Sequence, residues 1–212
     1  MQLSVFIGLK RCIVLSRLKM AEKVREFSSG MSGVFALSDL RNLLQTANRD
    51  ALYRSIKELQ SAEILTRFSR GFYVTKGFDP LVLSQRLCPE SYISFGNVLA
   101  KQLLIGSVPR YRIRAAKIGP KRVYSNGDIR IEHLSLREGL HFGYEVVNGI
   151  RVALPEKAVL DTLYFYRRGI RFSFDVYSDV DYSRLNKDII NEFLLKYKNP
   201  VFIDFSRSLI NA

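Results

Sequence analysis

Apolar positions recur along this chain with two spacings, and the changes of spacing place its elements. Val34-Phe35-Ala36-Leu37 is a short apolar run, and Ser38-Asp39-Leu40 then sets a cap-type hydroxyl before Leu40, Leu43 and Leu44. That pattern predicts a short helix with one apolar face. Thr46 is placed to cap a second helix running to about residue 62, in which Leu52, Ile56 and Leu59 fall at i, i+4 and i+7 and share a buried stripe. The opposite face carries Arg49, Tyr53, Arg54 and Lys57. Residues 64–68 and 72–75 read as strands around Ser69-Arg70-Gly71, where glycine suits the positive φ of a tight hairpin.

Short helix, second helix and basic hairpin, in that order, make a winged helix-turn-helix. A helix of this kind fits the major groove, where polar side chains reach base edges, and basic groups on a wing such as Arg67 and Arg70 meet phosphates. A basic solvent face on an amphipathic helix also occurs in domains that never meet nucleic acid, and winged domains also dock proteins. The order of the three elements, rather than the helix alone, is what favours DNA.

Glycine and proline interrupt the strand pattern at Lys76-Gly77-Phe78-Asp79-Pro80. The expected division is therefore a winged domain over 1–79, with an N-terminal helix, and a second domain over 80–212. In the second part Ser91 is placed to cap a helix to about Leu104, ended by Gly106 and kept from resuming by Pro109. Tyr111, Ile113 and Ala115 alternate with Arg112, Arg114 and Ala116, the period of a half-buried strand. Asn126-Gly127 and Asn148-Gly149 each sit between apolar runs and predict two hairpins. Pro155 and Glu156 suit a helix start, with Ala158, Leu160, Leu163 and Tyr164 inward, and residues 185–197 form another amphipathic helix. The expected class is α+β: an N-terminal winged helix-turn-helix followed by a helix-and-antiparallel-strand domain.

Charge sharpens the picture. The chain has 33 Lys plus Arg against 20 Asp plus Glu, a formal +13, which draws it to polyanions. Residues 1–79 carry 13 basic and 7 acidic side chains, 101–137 carry 9 and 2, and 138–212 carry 10 and 10, so the excess sits in two blocks. In the second block Arg110, Arg112, Arg114, Lys117, Lys121 and Arg122 form a candidate surface for further nucleic acid or for an acidic protein. A solvated strand face is the plain alternative, because edge strands carry Lys and Arg to avoid pairing.

Catalytic chemistry finds little support. Asp128, Glu132, His133 and His141 suggest a metal-dependent nuclease, but Asp128 belongs to a hairpin turn and no lysine follows Glu132 at the expected two-residue spacing. Glu156, Lys157 and Asp161 lie near one another on a helix, where structural pairing is the simpler reading. No Gly-rich phosphate loop, Cys/His cluster or activated-serine motif is present, so no catalytic residue, cofactor or metal is expected. Cys12 and Cys88 lack metal-type spacing and read as free buried thiols in a reducing cytoplasm. No uncharged apolar run approaches the ~20 residues needed to cross a bilayer. Residues 1–19 have the length of a signal peptide, but Lys10, Arg11, Arg17 and Lys19 interrupt them, and Met20-Ala21-Glu22 is an acceptable translation start.

Three segments carry a family resemblance: the hairpin Arg67 to Tyr73 of the form Arg-x-x-Arg-Gly-x-Tyr, the stretch Tyr92 to Leu99, and above all Val152-Ala153-Leu154-Pro155-Glu156-Lys157-Ala158-Val159-Leu160-Asp161. Together, over roughly residues 30–170, the chain resembles AbiEi-type antitoxins of abortive-infection, type IV toxin-antitoxin systems. The resemblance implies a prokaryotic regulator for phage defence: the winged domain binds double-stranded promoter DNA and represses its own operon, and the second domain counters a nucleotidyltransferase-like toxin. Where such proteins commonly carry Ala-Leu and His-Gly-Leu, this chain reads Asn97-Val98-Leu99-Ala100-Lys101-Gln102-Leu103-Leu104. The alternatives are a transcription regulator whose second domain senses a ligand or partner without any toxin, and, third, a nuclease.

Overall fold

A computed structural model describes residues 17–211. The expectations for residues 1–16, Cys12 included, lie outside the described residues. The chain divides into two compact units between Leu83 and Ser84, inside helix α4 (Pro80–Leu87). The class is α+β, with three-stranded and six-stranded sheets.

The first unit opens with helix α1 (residues 17–30), followed by β1 (Val34–Ala36), α2 (Leu37–Leu44), α3 (Arg49–Ser61), β2 (Thr66–Ser69) and β3 (Phe72–Val74). The strands form an antiparallel sheet in the order β1-β3-β2, with Phe35 opposite Tyr73 and Arg67 opposite the same residue on the other side. One core holds the unit together: Ala21 and Val24 of α1 pack with Phe35, Leu40, Leu52, Ile56, Leu59, Leu65 and Tyr73. The i, i+4, i+7 stripe of α3 is therefore buried as its spacing requires. Both expected helix caps are displaced. Ser38 lies inside α2, and the Asp39 carboxylate accepts from the Ala36 N–H at 2.7 Å. Asn48, not Thr46, caps α3 by accepting from the Ala51 N–H at 2.9 Å, whereas the buried Thr46 hydroxyl has no hydrogen-bond partner among the described residues. At α3 the amide is the better cap, since Asn outranks Thr at that position, and at α2 Asp39 reaches back from the third helical residue to the N–H of the cap residue Ala36.

The second unit contains β4 (Tyr92–Ile93), α5 (Gly96–Lys101), β5 (Arg112–Ile118), β6 (Arg122–Asn126), β7 (Ile129–Leu136), β8 (Tyr144–Val147), β9 (Ile150–Ala153), α6 (Pro155–Arg167), α7 (Lys187–Leu194) and α8 (Pro200–Ile210). Its sheet runs β6-β7-β5-β4-β9-β8. Both Asn-Gly hairpins form, β6 with β7 and β8 with β9, with Asn148 and Gly149 both at positive φ. The sheet is nevertheless mixed, since β4 runs parallel to β9 and β5 parallel to β7, which corrects the all-antiparallel expectation. The cause is order: β7 folds back between β6 and β5, so the partner of β5 is the far arm of a hairpin rather than its near one.

Residues 91–95 also depart from the helix expected there. Tyr92 and Ile93 form a strand walled in by β5 and β9, and a short run buried on all sides has no period to separate strand from helix. The helix starts only at Gly96, and Ser91 donates to the Cys88 carbonyl instead of capping. Cys88 is a buried free thiol. Among the described residues no helix is long and apolar enough to cross a membrane.

Gly33, between α1 and β1, has φ +71°, and a Cβ there would stand 2.7 Å from the Phe78 Cα. Both the dihedral and the approach exclude a side chain. Gly33→Ala is expected to destabilise the protein by about 2 kcal/mol or more. Gly30→Ala, at the end of α1 with nothing within 4 Å, is expected to be neutral or stabilising by about 0.5–1 kcal/mol. Paired thermal transitions check this, and equal effects would refute the assignment of Gly33 as a strained contact.

Candidate functional sites on two charged surfaces

In the first unit, burying Leu52, Ile56 and Leu59 turns Arg49, Tyr53, Arg54 and Lys57 to solvent on α3. The Arg49 guanidinium lies 5.5 Å from the Tyr53 ring centroid, a contact that extends the aromatic over the outer face. Arg67 is exposed on β2 and Arg70 at the hairpin tip, before Gly71 at φ +80°. The hairpin and α3 adjoin at Tyr73. Burial pushes that phenol's pKa up, the Arg67 charge pulls it back, and Tyr53 of α3 adds a smaller rise. All six residues proposed from the sequence for DNA are thus solvent-exposed.

In the second unit the basic block does not form one face. Arg112 and Arg114 lie on one side of β5, and Lys117 lies on the other. Lys117 is buried, its ammonium on the Pro120 carbonyl at 3.3 Å. Arg122 sits opposite His133 in the register of β6 and β7, and Arg110 is exposed in the loop before β5, with its guanidinium 5.5 Å from the Tyr111 ring centroid. Nor is β5 an edge strand, so protection against edge pairing does not explain its arginines.

What organises the Arg112 side is Glu132 on the adjacent β7. Its carboxylate accepts from Arg114 Nε and from an Arg130 guanidinium nitrogen, each at 2.9 Å, with Lys121 Nζ at 3.9 Å. Burial alone would raise the Glu132 pKa, but hydrogen bonds and charge from Arg130 and Arg114 hold it below the usual carboxylate range. The cluster borders a cleft of about 340 Å³ that also takes in Arg171, Phe172 and Phe174 from the segment after α6. Arg130 is signalled by its alternation with Glu132, two residues on, whereas no local pattern brings Arg171 to the cleft. A second groove, of about 480 Å³, gathers Arg137, Arg167, Arg168, Lys196 and Lys198. Even counts of basic and acidic residues over 138–212 concealed that gathering.

The nuclease constellation does not assemble. Asp128 is exposed in the hairpin turn, Glu132 is held by cations, and no group of three metal-binding side chains forms among the described residues. His133 is fully buried, with Nε2 3.0 Å from the Ser84 hydroxyl and Nδ1 without a hydrogen-bond partner among the described residues. Burial, then the Lys117 charge, push its pKa down to about 4, against an upward pull from Ser84 and with a smaller lowering by Arg122. His141 reaches the Glu90 carbonyl at 3.0 Å, and its pKa is also lowered, chiefly by burial.

Lys157 and Asp161, one turn apart on α6, are ion-paired with no exposed side-chain surface. Asp161 also accepts from the Tyr92 hydroxyl at 2.9 Å and the Ser94 hydroxyl at 2.8 Å. The ammonium faces the Phe142, Tyr92 and Tyr197 rings at 4.9, 5.6 and 6.0 Å and lies 3.5 Å from the Tyr197 hydroxyl. Burial lowers the Lys157 pKa and Asp161 raises it again in part, while the Tyr92 and Tyr197 phenols are pushed well up by burial and then by the Asp161 charge. Glu156 accepts from the Asn186 N–H at 3.1 Å, which joins α6 to the start of α7.

The fold resembles the crystal structure of the RV2827C protein from Mycobacterium tuberculosis, with a TM-score of 0.60 and 13% identity over 91% of this chain and 76% of that one. At that identity the likeness speaks to fold alone. No protein-family model and no curated protein matches the chain.

Asp161→Ala leaves an unpaired ammonium in the core and is expected to cost about 3–5 kcal/mol, whereas the double variant Lys157→Met, Asp161→Leu removes the unpaired charge and recovers part of that loss, the Tyr92 and Ser94 hydroxyls still lacking their acceptor. Urea unfolding checks this, and a single variant as stable as wild type would remove the pair from its structural role. For His133, the folded pKa lies below the ordinary 6.5, so its stabilisation is complete above pH 6.5 and is lost as pH falls through about 4. The loss approaches about 3 kcal/mol. Thermal transitions from pH 7 to 4.5 should fall less steeply for His133→Gln than for wild type, and parallel slopes would contradict this.

Proposed function

We propose that the chain is a DNA-binding transcriptional repressor of the winged helix-turn-helix type, with a second unit that acts as the antitoxin to a nucleotidyltransferase-like toxin. The observation that carries the DNA half is the solvent face of α3. Arg49, Tyr53, Arg54 and Lys57 project from a 13-residue helix whose other side is locked into the core, and a hairpin bearing Arg67 and Arg70 follows directly. Helix side chains then read base edges in the major groove while the hairpin positions the protein on phosphates.

The antitoxin half rests on the resemblance of Pro155 to Asp161 to AbiEi-type antitoxins. Its support is the place of those residues: Glu156, Lys157 and Asp161 fix α6 to β4 and to the C-terminal helices, so the segment specifies the unit's architecture. On this reading the protein works in the cytoplasm on its own promoter, and neutralises by binding rather than catalysis. This is supported by two of the candidate carboxylates being engaged within the fold, Glu132 by cations and Asp161 by Lys157, Tyr92 and Ser94.

Arg49→Ala and Arg54→Ala are expected to cost ~1–3 kcal/mol of binding to promoter DNA and to relax base preference. Arg67→Ala and Arg70→Ala should weaken binding to specific and random duplexes alike and reduce the salt dependence. Titrations at several salt concentrations test this, with growth on co-expression of a nucleotidyltransferase-like toxin, where one is encoded beside the gene, as the readout for the second half. Unchanged DNA binding in every α3 variant would overturn the first assignment, and full protection by a chain ending at residue 83 would overturn the second.

A further inference from the structure

The cleft beside Glu132 is more cationic than its own salt bridges require. Arg112 and Arg130 stand side by side in the β5–β7 register, on the same face of the sheet. Like charges in that position repel. Of the four arginines at the cleft, Glu132 engages only Arg114 and Arg130, which leaves an excess of three positive charges. The same carboxylate holds two guanidinium groups in fixed positions before any ligand arrives, which is preorganisation rather than neutralisation of the whole site.

The backbone is shaped to the same place. Phe95 has φ 61° and ψ −149°, a region nearly confined to glycine, and strain of this kind gathers at binding sites. Just after it, Asn97 clamps one edge of β5 at two points, donating to the Arg112 carbonyl at 3.1 Å and accepting from the Arg114 N–H at 2.9 Å. The opposite wall is apolar. Arg114 rests 4.9 Å from the centroid of the Phe172 ring, and the Phe174 ring packs so near Gly96 that a Cβ there would stand 3.0 Å away. A volume of about 340 Å³ lies within the range of small-molecule sites.

We propose that this cleft binds a nucleoside phosphate, with its phosphates on Arg112, Arg130 and Arg171 and its planar base against Phe174. Arginine forks match phosphate oxygens in pairs, and the charge excess suits a di- or trianion better than a single carboxylate. The inference is independent of the DNA reading, since it concerns residues of the second unit alone.

Calorimetric titration of the full-length protein with ADP tests it, with pyrophosphate and adenosine as partial probes. ADP should bind saturably. Arg112→Gln and Arg171→Gln should each weaken it about tenfold, as expected for loss of one charge-assisted contact. Phe174→Leu should weaken ADP and leave pyrophosphate unchanged, and Arg54→Ala should leave ADP binding intact while impairing DNA binding. A 5′-phosphorylated hexanucleotide that displaces ADP would identify a strand end as the natural source, and failure to displace would identify the free nucleotide. The proposal is overturned if ADP does not saturate, or if Arg167→Gln in the other groove weakens it as much as the cleft variants do.

Discussion

Asp161 holds the second unit together from its centre. One carboxylate, without exposed surface, takes an ammonium from the preceding turn of its own helix and two hydroxyls from the segment around β4. Burying a charge costs several kcal/mol unless it is paired and its remaining lone pairs are filled, and here they are filled from residues nearly seventy positions earlier in the chain. The pair therefore fixes which strand lies under α6. Lys157 passes the same constraint toward the C-terminus, since its ammonium is surrounded by Phe142, Tyr92 and Tyr197. Tyr197 in turn packs on Phe202 of α8 with the rings tilted, at 4.7 Å between ring centroids.

Charge is handled differently around Glu132. That site keeps its carboxylate at the border of a cleft and surrounds it with more cations than it can neutralise. A sheet interior normally avoids neighbouring arginines, yet Arg112 and Arg130 are neighbours on internal strands. The two acidic centres thus differ in kind. Asp161 satisfies itself within the fold, whereas the Glu132 cluster leaves positive charge to be met from outside.

Much of the fold was legible from local pattern. Asn148-Gly149 requires positive φ at both turn residues, and the hairpin forms with that geometry. The stripe Leu52, Ile56, Leu59 predicted both the buried and the exposed side of α3. Two helices went unread although each carries a local signal: Asp79 before Pro80, with its carboxylate accepting the Leu81 N–H, and Asn199 before Pro200. Other features have no local signal at all. Nothing in Tyr92-Ile93 separates a strand buried on all sides from a helix, and the parallel pairing of β5 with β7 depends on where a hairpin folds back. The site was half legible for the same reason. Arg112 and Arg114 are visible as an alternation, but Lys117 turns inward on the same strand, and Arg171 reaches the cleft from another part of the chain.

Net charge of +13 attracts any polyanion, but at physiological salt the attraction fades over about 8 Å. What distinguishes one anion from another must therefore act at contact distance. In the first unit the means for that are on a rigid helix face, where Arg49, Tyr53, Arg54 and Lys57 keep a fixed spacing because Leu52, Ile56 and Leu59 are locked behind them. In the second unit they are in a cleft, where Glu132 sets the positions of Arg114 and Arg130 and Asn97 holds the strand that carries Arg112. On the two proposed readings, both surfaces would gain selectivity from groups behind them that hold the contacting side chains in place. Substitutions in the core behind α3, or at Asn97, would accordingly blur recognition without removing a single positive charge.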